Sequence, residues 1–112
     1  MDLEPGDVWW AAPDPAPVGR EQAGQRPVVV ISNRAFHALA TTLVMVVPVT
    51  TTDRRWLNHV ELPQSAGLGR VSFAMTEQVR TISRERLLRR VGSVSSTELK
   101  RMRDLVAAFI EA

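Results

Sequence analysis

The sequence predicts one compact, mostly antiparallel β-barrel of the α+β class, closed by a C-terminal helix. The 112 residues suit a single domain. Short apolar runs of strand length alternate with turn-forming residues along most of the chain. Between Leu99 and Phe109, by contrast, apolar residues recur at three- and four-residue spacing, which indicates an amphipathic helix that packs on the sheet.

The strands follow from these apolar runs. Two of them, Pro27–Ile31 and Leu43–Val49, are continuous and typical of strands buried on both faces. Residues 58–62 alternate instead, which favours a half-exposed strand with His59 and Glu61 outward. The predicted strands are Val8–Ala11, Pro27–Ile31, Leu43–Val49, Asn58–Leu62, Ser72–Val79 and Leu88–Val94.

Turns, caps and loops connect the strands. Ala12–Gly24 is rich in proline and glycine and is predicted to be a long loop, a kind of segment that is often functional. Ser32 or Asn33 can cap a short helical turn through His37, and Ser83–Arg86 is predicted to form another turn. The last helix begins at Ser95 or Ser96, and Ser95 with Glu98 has the spacing of a capping box.

Composition excludes several kinds of protein. The absence of cysteine rules out disulfides, a thiolate nucleophile and a cysteine zinc site. The acidic start, Met1–Asp7, does not resemble a secretory signal, and no apolar run could span a bilayer. We therefore predict a cytoplasmic protein with no membrane contact. The segment from Arg26 to Arg90 contains ten arginines and four acidic residues, which suits either polyanion binding or an ordinary solvated surface.

Four segments, taken in order and spacing, resemble the MazF/PemK toxins, also called mRNA interferases. They are Pro5–Trp10 (PGDVWW), Gly19–Ile31 (GREQAGQRPVVVI), Val46–Thr51 (VVPVTT) and Glu77–Ile82 (EQVRTI). The resemblance runs from about residue 5 to the last helix, as one toxin domain over residues 1–112. The chain departs from it at Pro5, where a basic residue is common, and at Val71, where many members have an acid.

The resemblance implies a small Src-homology-3-like barrel that forms a homodimer and cleaves single-stranded RNA at selected sequences. It also implies a partly disordered antitoxin that covers the RNA groove. It places the catalytic arginine at Arg26 and the catalytic threonine at Thr50. The position of Arg26, beside Pro27 and a stiff apolar strand, would hold its guanidinium steady.

RNA can be cut without a metal or cofactor, because its own 2′-hydroxyl attacks the phosphorus and leaves a 2′,3′-cyclic phosphate and a 5′-hydroxyl. The sequence has no motif of paired carboxylates or histidines for a metal, so we expect none. Arg26 would stabilise the phosphorane and could protonate the leaving oxygen, and Thr50 would donate a hydrogen bond. Glu21 is the candidate general base.

The remaining predicted site residues bind RNA. Besides Glu21, they are Gln22, Thr51, Arg54, Trp56, Ser72 and Gln78. Trp56, between arginines and a strand, could stack a base or anchor its own loop. Of the adjacent Trp9 and Trp10, one should be in the core, while the other stacks a base or lines the dimer seam. His37 and His59 are expected to be solvated and without a catalytic role.

Two other functions fit the same scaffold. A non-catalytic toxin that poisons DNA gyrase would leave purified RNA intact, and the pair Arg26 and Thr50 argues against it. A catalytically inactive nucleic-acid-binding regulator would bind RNA with an affinity that depends on salt, without producing cyclic-phosphate ends. The recognised bases, and the choice among mRNA, rRNA and tRNA, do not follow from the sequence.

Overall fold

A computed structural model describes residues 2–13 and 24–112. In this part of the chain, seven strands are followed by a C-terminal helix, with a short helix between the second and third strands. The elements are β1 (Asp7–Ala11), β2 (Arg26–Val30), α1 (Arg34–Leu39), β3 (Leu43–Thr50), β4 (His59–Glu61), β5 (Phe73–Met75), β6 (Arg80–Ser83), β7 (Leu87–Ser93) and α2 (Ser96–Ile110). Single 3₁₀ turns occupy Gln64–Ala66, Thr76–Gln78 and Arg84–Arg86.

The strands form one antiparallel sheet in the order β4-β5-β3-β2-β1-β7, with β6 also paired to β3. β3 is the central strand, because β2 lies on one edge while β6 and β5 share the other. This confirms the mostly antiparallel β fold with a C-terminal helix, and only the closure of the barrel was wrong. Among the described residues, β4 and β7 are not paired with each other.

A turn occupies the place where the barrel would close. The 3₁₀ turn Gln64–Ala66 packs on β7, and the Ser65 hydroxyl donates a 2.8 Å hydrogen bond to the Ser93 carbonyl. The backbone of Ser65 and Ala66 approaches Gly92 so closely that a Cβ there would overlap it. The turn is thus joined to β7 by a side-chain hydrogen bond and not by a backbone ladder between strands. The sheet therefore stays open between β4 and β7.

Apolar side chains fill both faces of the sheet. One cluster includes Val29, Val47 and Met102, and α2 covers it with Leu99, Leu105 and Val106. The other cluster lies on the opposite face. It contains Leu3, Ala11, Val28, Val30, Val44, Val46, Ile82 and Leu87. Strands β2 and β3 contribute to both clusters, as their continuous apolar sequences predict, because successive side chains point to opposite faces.

The C-terminal helix has the predicted start. Ser95 is the N-cap, and a capping box with Glu98 is present. The hydrogen bonds from Ser95 lower the pKa of the Glu98 carboxyl. Most of the apolar stripe packs on the sheet, but Phe109 is half exposed. In the described ranges, no helix has the length and apolar character that a membrane crossing requires.

The strand predicted at Ser72–Val79 was wrong in its continuity. It splits into β5 and the 3₁₀ turn Thr76–Gln78. Thr76 is fully buried, and its hydroxyl donates a 2.7 Å hydrogen bond to the Asn58 carbonyl. This bond ties the turn to the start of β4, and the turn separates β5 from β6, which pair with different parts of β3.

Both histidines are buried, so the prediction that they are solvated was wrong. The His37 ring lies 2.6 Å from the Ser32 hydroxyl, and the His59 ring lies 3.0 Å from the Glu77 carboxylate. Met45 N–H donates to the same Ser32 oxygen, so this hydroxyl links His37 to the backbone of β3. Hydrogen bonding to a neighbour is what allows an imidazole to leave water.

Candidate active site

Two central strands place Arg26 and Thr50 side by side. The ladder between β2 and β3 pairs Val28 with Pro48, and continuing it by two residues sets Arg26 opposite Thr50. Directly opposed residues of an antiparallel pair have Cβ atoms about 5 Å apart. Because side chains alternate along a strand, both belong to the face that carries Val28. The structure therefore brings the two predicted catalytic residues together.

These two residues line a cleft of about 290 Å³ at the ends of the strands. Residues from both faces of the sheet and from the loop before β5 complete its walls. The lining consists of Trp10, Gln25, Arg26, Pro27, Val49, Thr50, Thr51, Leu68, Arg70 and Ser72. Arg26 is exposed and Thr50 is partly exposed, so both are accessible to a ligand from solvent.

The Thr50 hydroxyl is oriented by its own loop. Its oxygen accepts a 3.1 Å hydrogen bond from the backbone N–H of Thr52. A hydroxyl has one donor and two acceptor positions, and this bond uses an acceptor position. The proton of Thr50 can therefore be donated to an anion in the cleft.

Arg70 adds a second guanidinium to the cleft, one that the sequence analysis did not identify. The Ser72 hydroxyl is buried and donates a 2.9 Å hydrogen bond to the Arg70 carbonyl, which holds the backbone of this loop. Gly67 and Gly69 have φ angles of +79° and +72°, a conformation that favours glycine. Ser72 thus lies in the cleft with its proton already donated to the loop, and its binding of RNA stays a prediction.

Arg54, Trp56 and Gln78, which were predicted to bind RNA, are not among the residues that line this cleft. Trp56 is half exposed. The Arg54 guanidinium carbon lies 5.7 Å from the centre of the Trp56 ring. The centre of the His59 ring lies 5.0 Å from that of Trp56. Trp56 is thus packed against its own hairpin while part of the ring remains open to solvent.

Glu77, beside the exposed Gln78, fixes the end of the Trp56 loop. Its carboxylate accepts a 2.7 Å hydrogen bond from the Asn58 amide and contacts the His59 ring. Burial raises the pKa of Glu77, but the hydrogen bonds from His59, the backbone and Asn58 outweigh it, so the pKa lies below its usual value. A charged Glu77 therefore holds Asn58 and His59 in place.

The two adjacent tryptophans differ as the strand geometry predicts. Trp9 packs against the apolar cluster around Val28. Trp10 lies in the cleft, and its predicted role, to stack a base or to line a dimer seam, stays a prediction. The sequence could not show which tryptophan lies beside the cleft, because this depends on the strand register that pairs Trp10 with Pro27.

Glu21 and Gln22 lie outside the described residues, and they stay predictions. The described part of the chain contains no group of three or more histidine and acidic side chains arranged to hold a metal ion. The cleft itself contributes guanidinium, hydroxyl and amide groups, a donor set that matches phosphate oxygens.

A family model of PemK-like, MazF-like toxins of type II toxin–antitoxin systems matches residues 4–110. The chain belongs to this family. The match covers all the described strands and the last helix, as the resemblance of the four sequence segments predicted.

Relatives and solved structures agree with this assignment. The chain is 37% identical to endoribonuclease MazF9 of Mycobacterium tuberculosis, over 95% of this chain and 94% of that protein. It is 36% identical to endoribonuclease EndoA of Bacillus subtilis, over 78% and 76% of the two chains. A MazE–MazF crystal structure from Deinococcus radiodurans is similar, with a TM-score of 0.80 and 25% identity over 96% and 95% of the chains. The relatives' names confirm the prediction of an endoribonuclease of this family.

Proposed function

We propose that this MazF/PemK-family protein is an endoribonuclease that cuts single-stranded RNA at selected sequences without a metal or cofactor. The observation that carries the proposal is that Arg26 and Thr50 line one open cleft at the ends of two paired central strands. The RNA chain would cross this cleft with its scissile phosphate between the two side chains.

In the proposed reaction, the 2′-oxygen of the RNA forms a bond to phosphorus and the bond to the 5′-oxygen breaks. The products are a 2′,3′-cyclic phosphate and a 5′-hydroxyl. Negative charge grows on the non-bridging oxygens of the phosphorane, and the Arg26 guanidinium and the Thr50 hydroxyl stabilise it. Because a guanidinium stays protonated at neutral pH, Arg26 is assigned to charge stabilisation and to proton donation to the leaving oxygen, not to the base.

Glu21 is proposed as the base that takes the proton of the 2′-hydroxyl. It is a carboxylate in the segment that precedes Arg26 by a few residues. Replacing it with glutamine, Glu21→Gln, should reduce the rate and remove the acid limb of the pH–rate profile. An unchanged rate and profile would assign the base elsewhere.

The other proposed RNA contacts form two groups. Thr51 and Ser72 line the cleft beside Thr50. Arg54, Trp56 and Gln78 lie on exposed segments outside it, where they would bind nucleotides farther along the chain, together with Gln22. Single-stranded RNA suits such a surface, because its unpaired bases can stack on aromatic rings and its phosphates pair with arginine.

We also propose that the protein acts in the cytoplasm as a homodimer and that an antitoxin inhibits it. The MazE–MazF complex from Deinococcus radiodurans supports an antitoxin partner for this fold. A partly disordered segment with acidic and apolar residues would complement the arginine-rich cleft and fold onto it. Release from the antitoxin would then allow RNA cleavage, which inhibits translation and growth.

The direct test is to incubate the purified protein with mixed RNA in EDTA and to map the new ends. We expect 5′-hydroxyl and 2′,3′-cyclic phosphate ends within one sequence motif. Thr50→Ala should slow cleavage by about 10²- to 10³-fold, as the loss of one such donor does. Thr50→Ser keeps the hydroxyl and is the matched control.

Arg26→Lys provides the parallel comparison for the arginine. It retains the charge but loses the planar fork of donors, so it should cut much more slowly than the parent chain. A parent protein that leaves RNA intact would refute the proposal. It would favour a toxin that acts on gyrase or, if RNA is bound in a salt-dependent manner, an inactive regulator.

A further inference from the structure

Trp10 occupies a place in the cleft that the proposed chemistry does not use. It lies in the middle of the sheet, paired with Pro27 on β2 and with Arg89 on β7. Its side chain is half-buried. Trp10 is also one of the residues that line the cleft with Arg26 and Thr50. Trp10 therefore borders the same cavity as the two proposed catalytic residues, and it does so from the face of the sheet opposite to the one that carries Val28.

Arg89 supports this ring from the neighbouring strand. Its guanidinium carbon lies 5.7 Å from the centre of the Trp10 ring, within the range of a cation–π contact. Register shifts flank the paired residues of β1 and β7, one between Val8 and Trp9 and another between Trp10 and Ala11. Such irregularities re-aim side chains at the edge of a site. Trp10 thus has a fixed partner on one strand and a cavity beside it.

The neighbouring Trp9 lies in a different environment from Trp10. The side chain of Trp9 packs against the apolar cluster, and its indole nitrogen is buried without a hydrogen-bond partner among the described residues. Trp10, by contrast, borders a cavity whose lining also includes Arg26 and Arg70.

We propose that Trp10 is the stacking surface for the nucleobase next to the scissile phosphate and that Arg89 is a positioning residue that holds the ring. The inference rests on the proposed function, since it assigns to the same cleft a contact with the base as well as with the phosphate. A base stacked there would be fixed relative to Arg26 and Thr50, so Trp10 would set the sequence preference and the alignment of the 2′-hydroxyl.

The test uses the indole N–H signals of the intact protein, which has three tryptophans. The ligand is a short single-stranded RNA with the mapped motif and a 2′-deoxy nucleotide at the cleaved position, which removes the nucleophile. Phe variants of each tryptophan assign the three signals. If Trp10→Phe fails to fold, assignment of the Trp9 and Trp56 signals still identifies the third.

We expect the Trp10 signal to shift on addition of this RNA while the Trp9 signal, on the core side of the strand, stays in place. Trp10→Ala should raise KM for RNA by about tenfold or more, the effect of losing one stacked base. Trp10→Phe should recover part of that loss. Arg89→Ala should raise KM by roughly two- to fivefold. Arg89→Lys should recover only part of this loss, because lysine keeps the positive charge but lacks the planar guanidinium.

Two results would overturn the inference. The first is an active protein that binds the 2′-deoxy RNA, as measured by anisotropy of a labelled strand, without any change in the Trp10 signal. The second is a Trp10→Ala variant that folds and cuts the same motif with the same KM. A protein that cuts no RNA would instead refute the proposed function, and the inference with it.

Discussion

Replacing Gly92 with alanine should damage both the stability of the domain and the shape of the cleft. Gly92 lies in β7 opposite the turn Gln64–Ala66, whose backbone crosses directly above it. A Cβ at this position would overlap the Ser65 carbonyl oxygen and the carbonyl carbon and oxygen of Ala66. All three atoms belong to backbone, so no side-chain rotation can relieve the overlap.

The size of the effect follows from what must move. Relief requires the turn to separate from β7, which also strains the hydrogen bond from Ser65 to Ser93. Overpacking of this kind costs about 1–3 kcal/mol, and contact with backbone on several atoms favours the upper end. For a domain of this size, about 3 kcal/mol corresponds to a decrease in Tm of roughly 12 °C.

Thermal unfolding followed by circular dichroism measures this change. Gly24→Ala is the matched control, because nothing lies within 4 Å of a Cβ at Gly24. That control should be neutral or slightly stabilising. RNA cleavage well below the melting temperature should also fall, since the displaced turn leads into the loop with Arg70 and Ser72. A Gly92→Ala protein with the parent Tm would show that the seam between the turn and β7 is not close-packed.

Three further predictions concern the core, the last helix and a buried histidine. Met102→Ala should lower the free energy of unfolding by about 2–5 kcal/mol in urea titrations, because the side chain is fully buried, whereas Met102→Leu should cost little. Glu98→Ala breaks the capping box at Ser95 and should cost about 1 kcal/mol, with Glu98→Gln recovering part of it. Burial and the nearby Arg84 lower the pKa of His37, so the unfolded chain binds the proton first and stability should fall as pH drops below about 6.5. Urea midpoints between about pH 7.5 and about pH 5.5 should show this slope, and a His37→Gln protein with an equally steep slope would contradict it.

Local sequence signals predicted the elements that depend on nearby residues. The capping box at Ser95, the cap at Asn33 and the continuous apolar strands all formed where their patterns indicate. The neighbouring positions of Arg26 and Thr50 could also be predicted, because the resemblance placed each at the end of a buried strand.

Features that depend on register or on distant partners could not be predicted in this way. The burial of His59 depends on Glu77, eighteen residues along the chain, so the alternation around residue 59 suggested a solvated side chain. The break at Thr76 depends on its hydrogen bond to the Asn58 carbonyl. Arg70 enters the cleft through a loop shaped by two glycines, and no spacing in the sequence relates it to Arg26.

The central position of β3 separates two tasks that a sequence-selective nuclease must combine. The proposed catalytic residues Arg26 and Thr50 belong to strands at the middle of the sheet, whereas Arg54, Trp56 and Arg70 lie in connections outside it. If the proposed function holds, substitutions in those connections should alter which nucleotides are preferred without shifting the guanidinium of Arg26 and the hydroxyl of Thr50.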